Sequence, residues 1–209
     1  MDQPLLSPEQ VSWGTEPAER ADAARNRRLL LATAREMLTE DGADKLTMDR
    51  LAERAGLGKG TVFRRFGTRA GIFRALLDDA ERSFQELVLI GPPPLGPGAP
   101  PLDRLVAYGR ARIGFLIEYR DIARATLDGS EPIPAGSRTP MSQLHIRALL
   151  GQMDIGPADL DMLAVQLSAA LDGPLLLYLA ADDLAEPAPR TAERIARAWH
   201  DLIRRACRP

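Results

Sequence analysis

Seven cationic side chains lie within twenty-five residues of this chain, and positive charge at that density can bind phosphate. From residue 50 to residue 74 there are seven Lys or Arg and one acid, Glu53, so the segment carries a net charge of +6 in a chain whose formal net charge is −2. The cations are Arg50, Arg54, Lys59, Arg64, Arg65, Arg69 and Arg74. Such clustering is typical of a surface that lies on a nucleic-acid backbone.

Two short helices joined by a glycine turn must position these cations. Residues 46–66 read LTMDRLAERAGLGKGTVFRRF. Thr47 is suited to cap the first helix, because its hydroxyl can accept a hydrogen bond from a free N–H of the first turn. Gly56 ends that helix, and a second helix follows over about 58–66. The pattern predicts a helix-turn-helix motif over about 47–66.

The spacing of apolar residues in the rest of the chain predicts an all-α fold with about nine helices. Aromatic residues make up only 5% of the chain, while Ala, Leu and Arg dominate, which favours helices over sheets. The predicted helices span about 21–40, 47–56, 58–66, 68–88, 102–119, 121–127, 139–152, 157–181 and 190–207. Pro157 is expected in the first turn of the eighth helix, and Gly173-Pro174 is expected to kink it.

Composition and charge divide the chain into three parts. Residues 1–19 are rich in Pro, Ser, Gly and acids and are expected to form a mobile arm. A helix-turn-helix domain is expected over 20–85 and a second helical domain over 86–209, because the segment GPPPLGPGAPP at 91–101 cannot be helical. Residues 18–85 carry a net charge of +3 and the remainder −5, which indicates two different tasks.

Cysteine usage and hydropathy bear on the compartment. The single cysteine, Cys207, excludes an intrachain disulfide and fits a reducing compartment. Residues 1–20 lack the basic start and apolar run of a secretory signal, and the longest apolar stretch, near 174–181, is too short to span a bilayer. We therefore expect a soluble cytoplasmic protein.

Residue patterns for catalysis are missing from the sequence. There is no glycine-rich phosphate loop after a strand and no nucleophile elbow. His200 and Cys207 lie seven residues apart on one predicted helix, and two ligands at that spacing do not make a metal site. We expect no enzyme activity, no cofactor and no metal; a helical-bundle enzyme remains an alternative that would require turnover of a bound molecule.

The segment from Arg25 to Phe84 resembles the DNA-binding domain of the tetracycline-repressor (TetR) family of transcriptional regulators. The resemblance rests on the polar cap and turn, on a Lys-Gly-Thr triplet with two aromatic residues, and on the start of the next helix. These residues are Thr47, Ala55-Gly56, Lys59-Gly60-Thr61, Phe63, Arg64, Phe66, Thr68-Arg69 and Ile72-Phe73. The remainder of the chain matches the family only in length and helical character.

The resemblance implies which residues meet DNA. In a helix-turn-helix the early residues of the second helix reach base edges in the major groove. Here these are Gly58, Lys59, Gly60, Thr61 and Arg64. The two glycines would allow close approach, and Lys59 and Arg64 would contact either guanine or phosphate. Arg69 matches the family's phosphate-contacting lysine, and Thr47 and Met48 match positions that anchor a phosphate at a helix N-terminus.

Three positions depart from the family pattern. Phe63 stands where a tyrosine that binds phosphate is common, so one anchor is lost. Arg65 replaces a common histidine and would restore affinity for the backbone, while Gly67 replaces a frequent proline. Phe63 is expected among the DNA-binding residues, with packing in the core as the favoured alternative. Arg50 and Arg54 could equally be solvated surface.

For the second domain the resemblance implies a pocket for a small molecule. The expected lining comprises apolar residues and four polar contacts, and each of them could instead be plain core. These residues are Arg112, Ile113, Leu116, Ile117, Tyr119, Leu127, His145, Leu149, Gln166, Leu167 and Leu171. The implied effector is small and mostly apolar.

The resemblance also implies pairing of the eighth and ninth helices with those of a second copy. The eighth helix is apolar nearly all round after Leu171, as expected of a helix buried by both its core and a partner. The expected interface residues are Leu175, Tyr178, Trp199 and Ile203. For Trp199, packing in the core is an equal alternative.

These observations predict a sequence-specific, DNA-binding transcriptional regulator. We expect a homodimeric repressor that a small effector releases from a palindromic double-stranded operator, without a membrane partner. The alternative is a ligand-binding or protein-interaction helical module whose helix-turn-helix is vestigial.

Overall fold

The computed structural model describes residues 17–126, 141–179 and 188–207, and every regular element within them is helical. These residues form nine α-helices and one turn of 3-10 helix, Ala43–Lys45. The helices are α1 (Pro17–Asp41), α2 (Met48–Arg54), α3 (Lys59–Phe66), α4 (Arg69–Ile90), α5 (Pro101–Glu118), α6 (Arg120–Ala125), α7 (Met141–Leu150), α8 (Leu160–Leu179) and α9 (Ala188–Ala206). The predicted all-α fold is confirmed.

The chain divides into two compact units, Met1–Arg69 and Ala70–Pro209. The division follows the first residue of α4, so nearly all of that helix belongs to the second unit. None of the described helices combines the length and the apolar composition that a membrane crossing requires.

In the first unit, α1 packs against the 3-10 turn and α2, and α2 packs against α3. The buried apolar side chains come from all three helices and from the turn between α1 and α2. They are Leu30, Leu31, Ala34, Met37, Leu46, Leu51, Ala52 and Val62. Gly42, with φ 80°, follows the last residue of α1, which is a conformation that favours glycine.

The turn between α2 and α3 is fixed by backbone hydrogen bonds. Gly56 adopts φ 64° and its N–H donates to the carbonyl of Glu53, while the N–H of Leu57 donates to the carbonyl of Ala52. This pair of bonds is a Schellman motif, which ends a helix at a left-handed residue and satisfies its last carbonyls. The glycine turn predicted from the sequence is therefore the element that sets α3 beside α2.

In the second unit α5 packs against α9, α7 and α8, and α7 packs against α8. The indole of Trp199 on α9 donates to the carbonyl of Leu105 at 3.1 Å. A Cβ added at Gly109 would lie 2.0 Å from the indole nitrogen, so α5 and α9 meet where one helix has no side chain. Around this contact lies a continuous core that extends from Ala80 on α4 to Cys207 after α9.

Two helix starts differ from the prediction. Helix α1 begins at Pro17, inside the predicted arm, because proline fits the first turn of a helix and residues 18–19 are good helix formers. Helix α8 begins at Leu160 rather than at Pro157. The carboxylate of Asp159 accepts from the N–H groups of Asp161 and Met162 at 3.1 and 3.0 Å, so an aspartate cap sets this start. Helix α8 continues through Pro174 to Leu179, and the expected kink stays a prediction.

Candidate functional site

Helix α3 shows most of its surface to solvent. Val62 is its only fully buried side chain, and Thr61 and Phe66 are half-buried. The exposed positions are Gly58, Lys59, Gly60, Phe63, Arg64 and Arg65. Residues four apart lie on one face of a helix, so Val62 and Phe66 together define the inward side and the intervening residues point away from it.

Phe63 lies on this exposed side, with 51% of its surface accessible. The favoured alternative of core packing for Phe63 is therefore wrong. It fails because residue 63 follows Val62 by one position, about a quarter of a turn, while the inward direction is already filled. The exposed ring of Phe63 next to Arg64 gives the surface of α3 an apolar group as well as a cation.

The cap predicted at the start of α2 is present. The hydroxyl of Thr47 accepts from the N–H of Arg50 at 3.3 Å, and Thr47 itself has an extended backbone. Thr47 is exposed and Met48 is half-buried. The hydroxyl therefore already orders the first turn of the helix.

Two of the predicted cations stabilise the fold of the first unit. The guanidinium of Arg50 donates to a carboxylate oxygen of Asp41 at 2.9 Å and to the carbonyl of Lys45 at 3.0 Å. Arg54 pairs with Glu40 at 2.5 Å, and this hydrogen bond raises the pKa of Arg54 above its ordinary value. Both arginines thus tie α2 to the end of α1.

Arg65 and Arg69 donate to backbone carbonyls. Arg65 bonds the carbonyl of Ala23 on α1 at 3.0 Å. Arg69 bonds the carbonyls of Leu46 and Ala43, both at 2.7 Å, through Nε and Nη2. A guanidinium has five N–H donors, so these bonds fix its position without using all of them.

Lys59 and Arg64 lie at the two ends of α3. Lys59 pairs with Asp49 on α2 at 2.9 Å, with both side chains largely exposed. Arg64 is exposed and forms no ion pair or side-chain hydrogen bond with another described residue. With Arg65, which donates to a backbone carbonyl, α3 therefore presents three exposed cations, of which Lys59 is paired with a carboxylate and Arg64 is directed into solvent.

The family model for bacterial regulatory proteins of the tetR family matches residues 30–76, which include α2 and α3. The same region is 39% identical over 59 residues to the DNA-binding transcriptional repressor TetR of Mycobacteroides abscessus. Residues 30–76 are therefore similar to the tetR family of bacterial regulatory proteins. That alignment covers 28% of this chain and 31% of the relative, so the chain spans about a third of the length of the curated relative it matches.

Solved structures of TetR-family regulators share the fold over nearly the whole chain. A regulator from Pectobacterium atrosepticum superposes with a TM-score of 0.68 at 20% identity, covering 91% of this chain and 98% of that one. One from Rhodococcus sp. gives a TM-score of 0.59 at 17% identity, covering 88% and 100%. At these identities the likeness concerns the fold alone.

In the second unit, a row of aromatic and cationic side chains crosses the interior. The ring of His145 on α7 lies 4.9 Å from that of Tyr108 on α5, and Tyr108 lies 5.9 Å from Phe84 on α4. Phe84 lies 5.3 Å from Phe115, which lies 4.7 Å from Tyr119. We call these five rings the aromatic row. It connects three helices of the unit.

Arg112 lies between the rings of Phe84 and Phe115. Its guanidinium carbon is 5.7 and 5.1 Å from the two ring centroids. The residue is only 2% exposed, and its Nη1 donates to a carboxylate oxygen of Glu81 at 2.6 Å. The Nε of Arg112 is buried and has no hydrogen-bond partner among the described residues. A charge held in this way is costly unless it is paired.

The titratable neighbours of Arg112 are perturbed by burial. Burial, with a smaller effect of the Arg104 charge, lowers the pKa of His145 to about 4. Burial raises the pKa of Asp172, while Arg112 opposes this shift and Glu81 adds to it. Burial likewise raises the pKa of the Tyr108 phenol, whose oxygen donates to the hydroxyl of Ser142 at 2.7 Å. His145 is therefore uncharged at neutral pH.

The structure separates the predicted pocket residues into three groups. Ile113, Leu149, Leu167 and Leu171 are buried in the core, and Leu116, Ile117 and Tyr119 are half-buried against it. Gln166 is exposed on α8, away from Arg112 and His145, which lie inside the unit. Leu127 lies outside the described residues.

Sequence reasoning missed Glu81, Phe84, Tyr108 and Asp172 as members of this interior site. A signal was available on α5, where Tyr108, Arg112, Phe115 and Tyr119 recur at helical spacing. An arginine in the middle of an apolar stripe must be buried with a partner. The partner itself, Glu81, is on another helix, and no local pattern points to it.

Two of the predicted interface residues lie inside the subunit. Trp199 and Ile203 belong to the core of the second unit, so the core alternative for Trp199 describes its position. The reason is the contact with Gly109, which draws the indole into the unit. The side chains of Leu175 and Tyr178 lie outside the described residues. The exposed apolar residues of α8 and α9 include Met162, Val165 and Leu202.

Proposed function

We propose that this chain is a sequence-specific, DNA-binding transcriptional regulator that acts as a homodimeric repressor. The observation that carries the proposal is the exposed surface of α3, where Phe63 and Arg64 point away from the fold beside two residues without side chains. Helix α3 is short and held by a defined turn, as the second helix of a helix-turn-helix must be to enter the major groove. The name of the Mycobacteroides abscessus relative supports repression as the direction of control.

Within this proposal the cations have two roles. Arg64 reads base edges, because it is exposed on α3 and forms no bond with another described residue. Arg65 and Arg69 contact phosphates, since their carbonyl bonds hold the guanidinium groups in place before DNA arrives. Phosphate contacts position a protein on DNA and base contacts specify the sequence.

Dimerisation is proposed through the exposed faces of α8 and α9. Met162 and Val165 on α8 are 53% and 43% exposed, and Leu202 on α9 is also exposed. Apolar side chains exposed to solvent favour association, and a two-fold dimer would present two copies of α3 to a palindrome.

The effector is proposed to bind in the second unit, near Arg112 and the aromatic row. It would release the operator by binding better to a conformation whose two α3 helices are misplaced for adjacent major grooves, because only differential affinity shifts a population. Helix α4 carries Glu81 and Phe84 of this site, and its first residue, Arg69, bonds to the turn before α2.

Fluorescence anisotropy with the duplex that flanks the chain's own gene tests the proposal. We expect binding at least about 10³-fold tighter than to a shuffled duplex, on a near-palindrome with half-sites one helical turn or a multiple apart. Arg82→Ala, which changes an exposed arginine in the second unit, is the matched control for Arg64→Ala. Equal affinity for both duplexes would favour the alternative, a binding module with a vestigial motif.

Light scattering tests the dimer. The chain should have twice its monomer mass of 22.8 kDa at micromolar concentration. The double variant Met162→Glu/Val165→Glu should shift it toward the monomer, whereas Leu144→Glu, at an exposed leucine on α7, should not. A monomeric wild-type chain would contradict the proposed dimer.

A further inference from the structure

The interior of the second unit contains hydrogen-bond donors without acceptors. The Nε–H groups of Arg112 and Arg104 are buried and have no hydrogen-bond partner among the described residues. An arginine nitrogen can donate but cannot accept. A buried donor that lacks an acceptor is destabilising, so this site favours a molecule that brings oxygen acceptors.

The surroundings of Arg112 define the shape and polarity of such a molecule. The rings of Phe84 and Phe115 flank the guanidinium, and Tyr119 continues the aromatic row. His145, at the other end of the row, is uncharged at neutral pH. The site therefore combines one deeply buried cation with flat apolar surfaces.

We propose that the effector of this chain is an amphipathic carboxylate whose head group binds Arg112 in competition with Glu81. A carboxylate can accept two parallel hydrogen bonds from Nε–H and Nη2 of the planar guanidinium, on the side away from Nη1, which Glu81 occupies. The two carboxylates would then compete for one positive charge and repel each other. The apolar body would lie along the aromatic row. This inference rests on the proposed function, and it replaces the mostly apolar effector that the sequence suggests.

A cationic effector is the competing chemistry. Glu81 and Asp172 would attract an ammonium group. An ammonium group, however, only donates, so Nε of Arg112 would still lack an acceptor. It would also lie beside the positive charge of Arg112, without the match that a carboxylate provides.

Competition with Glu81 connects the ligand to α4. Glu81 is on α4, and its contact with Arg112 joins α4 to α5. A second carboxylate on the same guanidinium would repel Glu81 and weaken this contact. The Arg112–Glu81 pair would therefore be intact without the ligand and weakened with it. A ligand that binds one of these two states more tightly shifts the population toward that state.

Calorimetry on the full chain without DNA tests the head group directly. The probes share an apolar body and differ in the head group: 2-naphthoate, 2-naphthamide and 2-naphthylmethylammonium, with decanoate, decanamide and decylammonium as a second series. We expect the carboxylate of at least one series to bind about tenfold or more tightly than its amide and its ammonium analogue. An equal or greater affinity for the ammonium or the amide, or binding of none of the six, would overturn the proposal.

Three variants locate the head group. Arg112→Lys keeps a cation for Glu81 but lacks the Nε–H, and should weaken carboxylate binding about tenfold. Glu81→Gln removes the competing charge and should strengthen carboxylate binding. Arg110→Lys is the matched control on α5, because Arg110 is exposed and pairs with Glu193, and it should leave affinity unchanged. Weaker binding by Glu81→Gln, or equal effects of the two lysine variants, would contradict competition at Arg112.

These measurements are independent of the operator. A chain that binds carboxylates but shows no preference for its flanking DNA would contradict the proposed regulator and leave the carboxylate site in place. A chain that binds its operator but prefers ammonium probes would contradict only the carboxylate site.

Discussion

Arg54 pairs with Glu40 at the surface of the first unit, whereas Arg112 pairs with Glu81 inside the second unit, at nearly the same distance of 2.5 and 2.6 Å. The environment, not the geometry, separates the two pairs. An exposed pair contributes little to stability, because water competes with both partners. Breaking a buried pair lowers stability by about 3–5 kcal/mol, because the remaining charge is left without a partner and without water around it.

This difference suits the two proposed tasks. Exposed carboxylates such as Asp49 beside Lys59 can be exchanged for DNA phosphates at little cost in stability. The buried guanidinium of Arg112 cannot lose one partner without gaining another, so it responds to a ligand only if the ligand supplies an acceptor. Weak, exposed ion pairs in the first unit therefore favour reversible binding of DNA. The strong buried pair in the second unit favours selectivity for a ligand that carries an acceptor.

The largest expected effect is on stability. Arg112→Ala should lower the free energy of unfolding by about 3–5 kcal/mol, because it removes the buried partner of Glu81 and leaves that largely buried carboxylate unpaired. Denaturant unfolding followed by circular dichroism measures this. Arg110→Ala, which breaks the exposed pair with Glu193, should cost less than about 1 kcal/mol. Equal losses for the two variants would contradict the role assigned to burial.

A double replacement sharpens the same point. Arg112→Met combined with Glu81→Leu removes both charges and should recover most of the stability lost in Arg112→Ala, because an apolar pair of similar volume needs no partner. Failure to recover would mean that the aromatic rings around the guanidinium, rather than the charge pair, stabilise this region.

The next effect concerns DNA. Arg64→Ala should reduce the preference for operator over random duplex by about 1–3 kcal/mol without lowering the melting temperature, because Arg64 bonds to no other described residue. Arg69→Ala should weaken binding to all sequences alike and reduce the salt slope by about one. It should also destabilise the fold by about 1–2 kcal/mol, since two bonded carbonyls lose their donor. Anisotropy titrations at several salt concentrations separate the two patterns.

Local pattern was sufficient to predict the helix-turn-helix. Thr47 as a cap and Gly56 at a left-handed turn follow from residue type and immediate neighbours, and both are confirmed. The predicted start of α8 at Pro157 was wrong because the carboxylate of Asp159, two residues later, caps the helix. One sequence alone does not show which of two neighbouring start signals sets the first residue of a helix.

The interior site was less predictable because its contacts join distant segments. Arg112 and His145 were expected near the effector, but the pairing of Arg112 with Glu81 spans thirty-one positions and follows no periodicity. Trp199 shows the same limit: its burial depends on the missing side chain of Gly109, ninety positions away. Patterns along a helix predict which residues face inward and not which residue they meet.

A smaller effect concerns the pH dependence of the stability of the second unit. Burial lowers the pKa of His145 to about 4, below its ordinary 6.5, so the unfolded chain binds more protons between these values. Stability should therefore be unaffected by this group above pH 6.5 and fall as the pH drops toward 4, by roughly 1–3 kcal/mol. Thermal melts of wild type and His145→Gln at pH 7 and 4.5 test this. The variant should lose less stability on acidification; an identical loss would contradict the buried neutral histidine.

The smallest effect concerns a missing side chain on α3. Gly60 lies in a helix, and a Cβ added there would meet nothing within 4 Å, so neither packing nor backbone conformation requires glycine. Gly60→Ala should therefore stabilise the chain, by up to about 1 kcal/mol. If DNA approaches the bare helix closely, the same variant should nonetheless bind operator more weakly, because the methyl group occupies the space of the duplex.

Gly114→Ala on α5, also without neighbours at the added Cβ, is the control that should gain stability and leave DNA binding unchanged. A more stable Gly60→Ala protein with undiminished affinity would show that the duplex does not approach α3 at this residue, and would leave Arg64 and Phe63 to account for recognition.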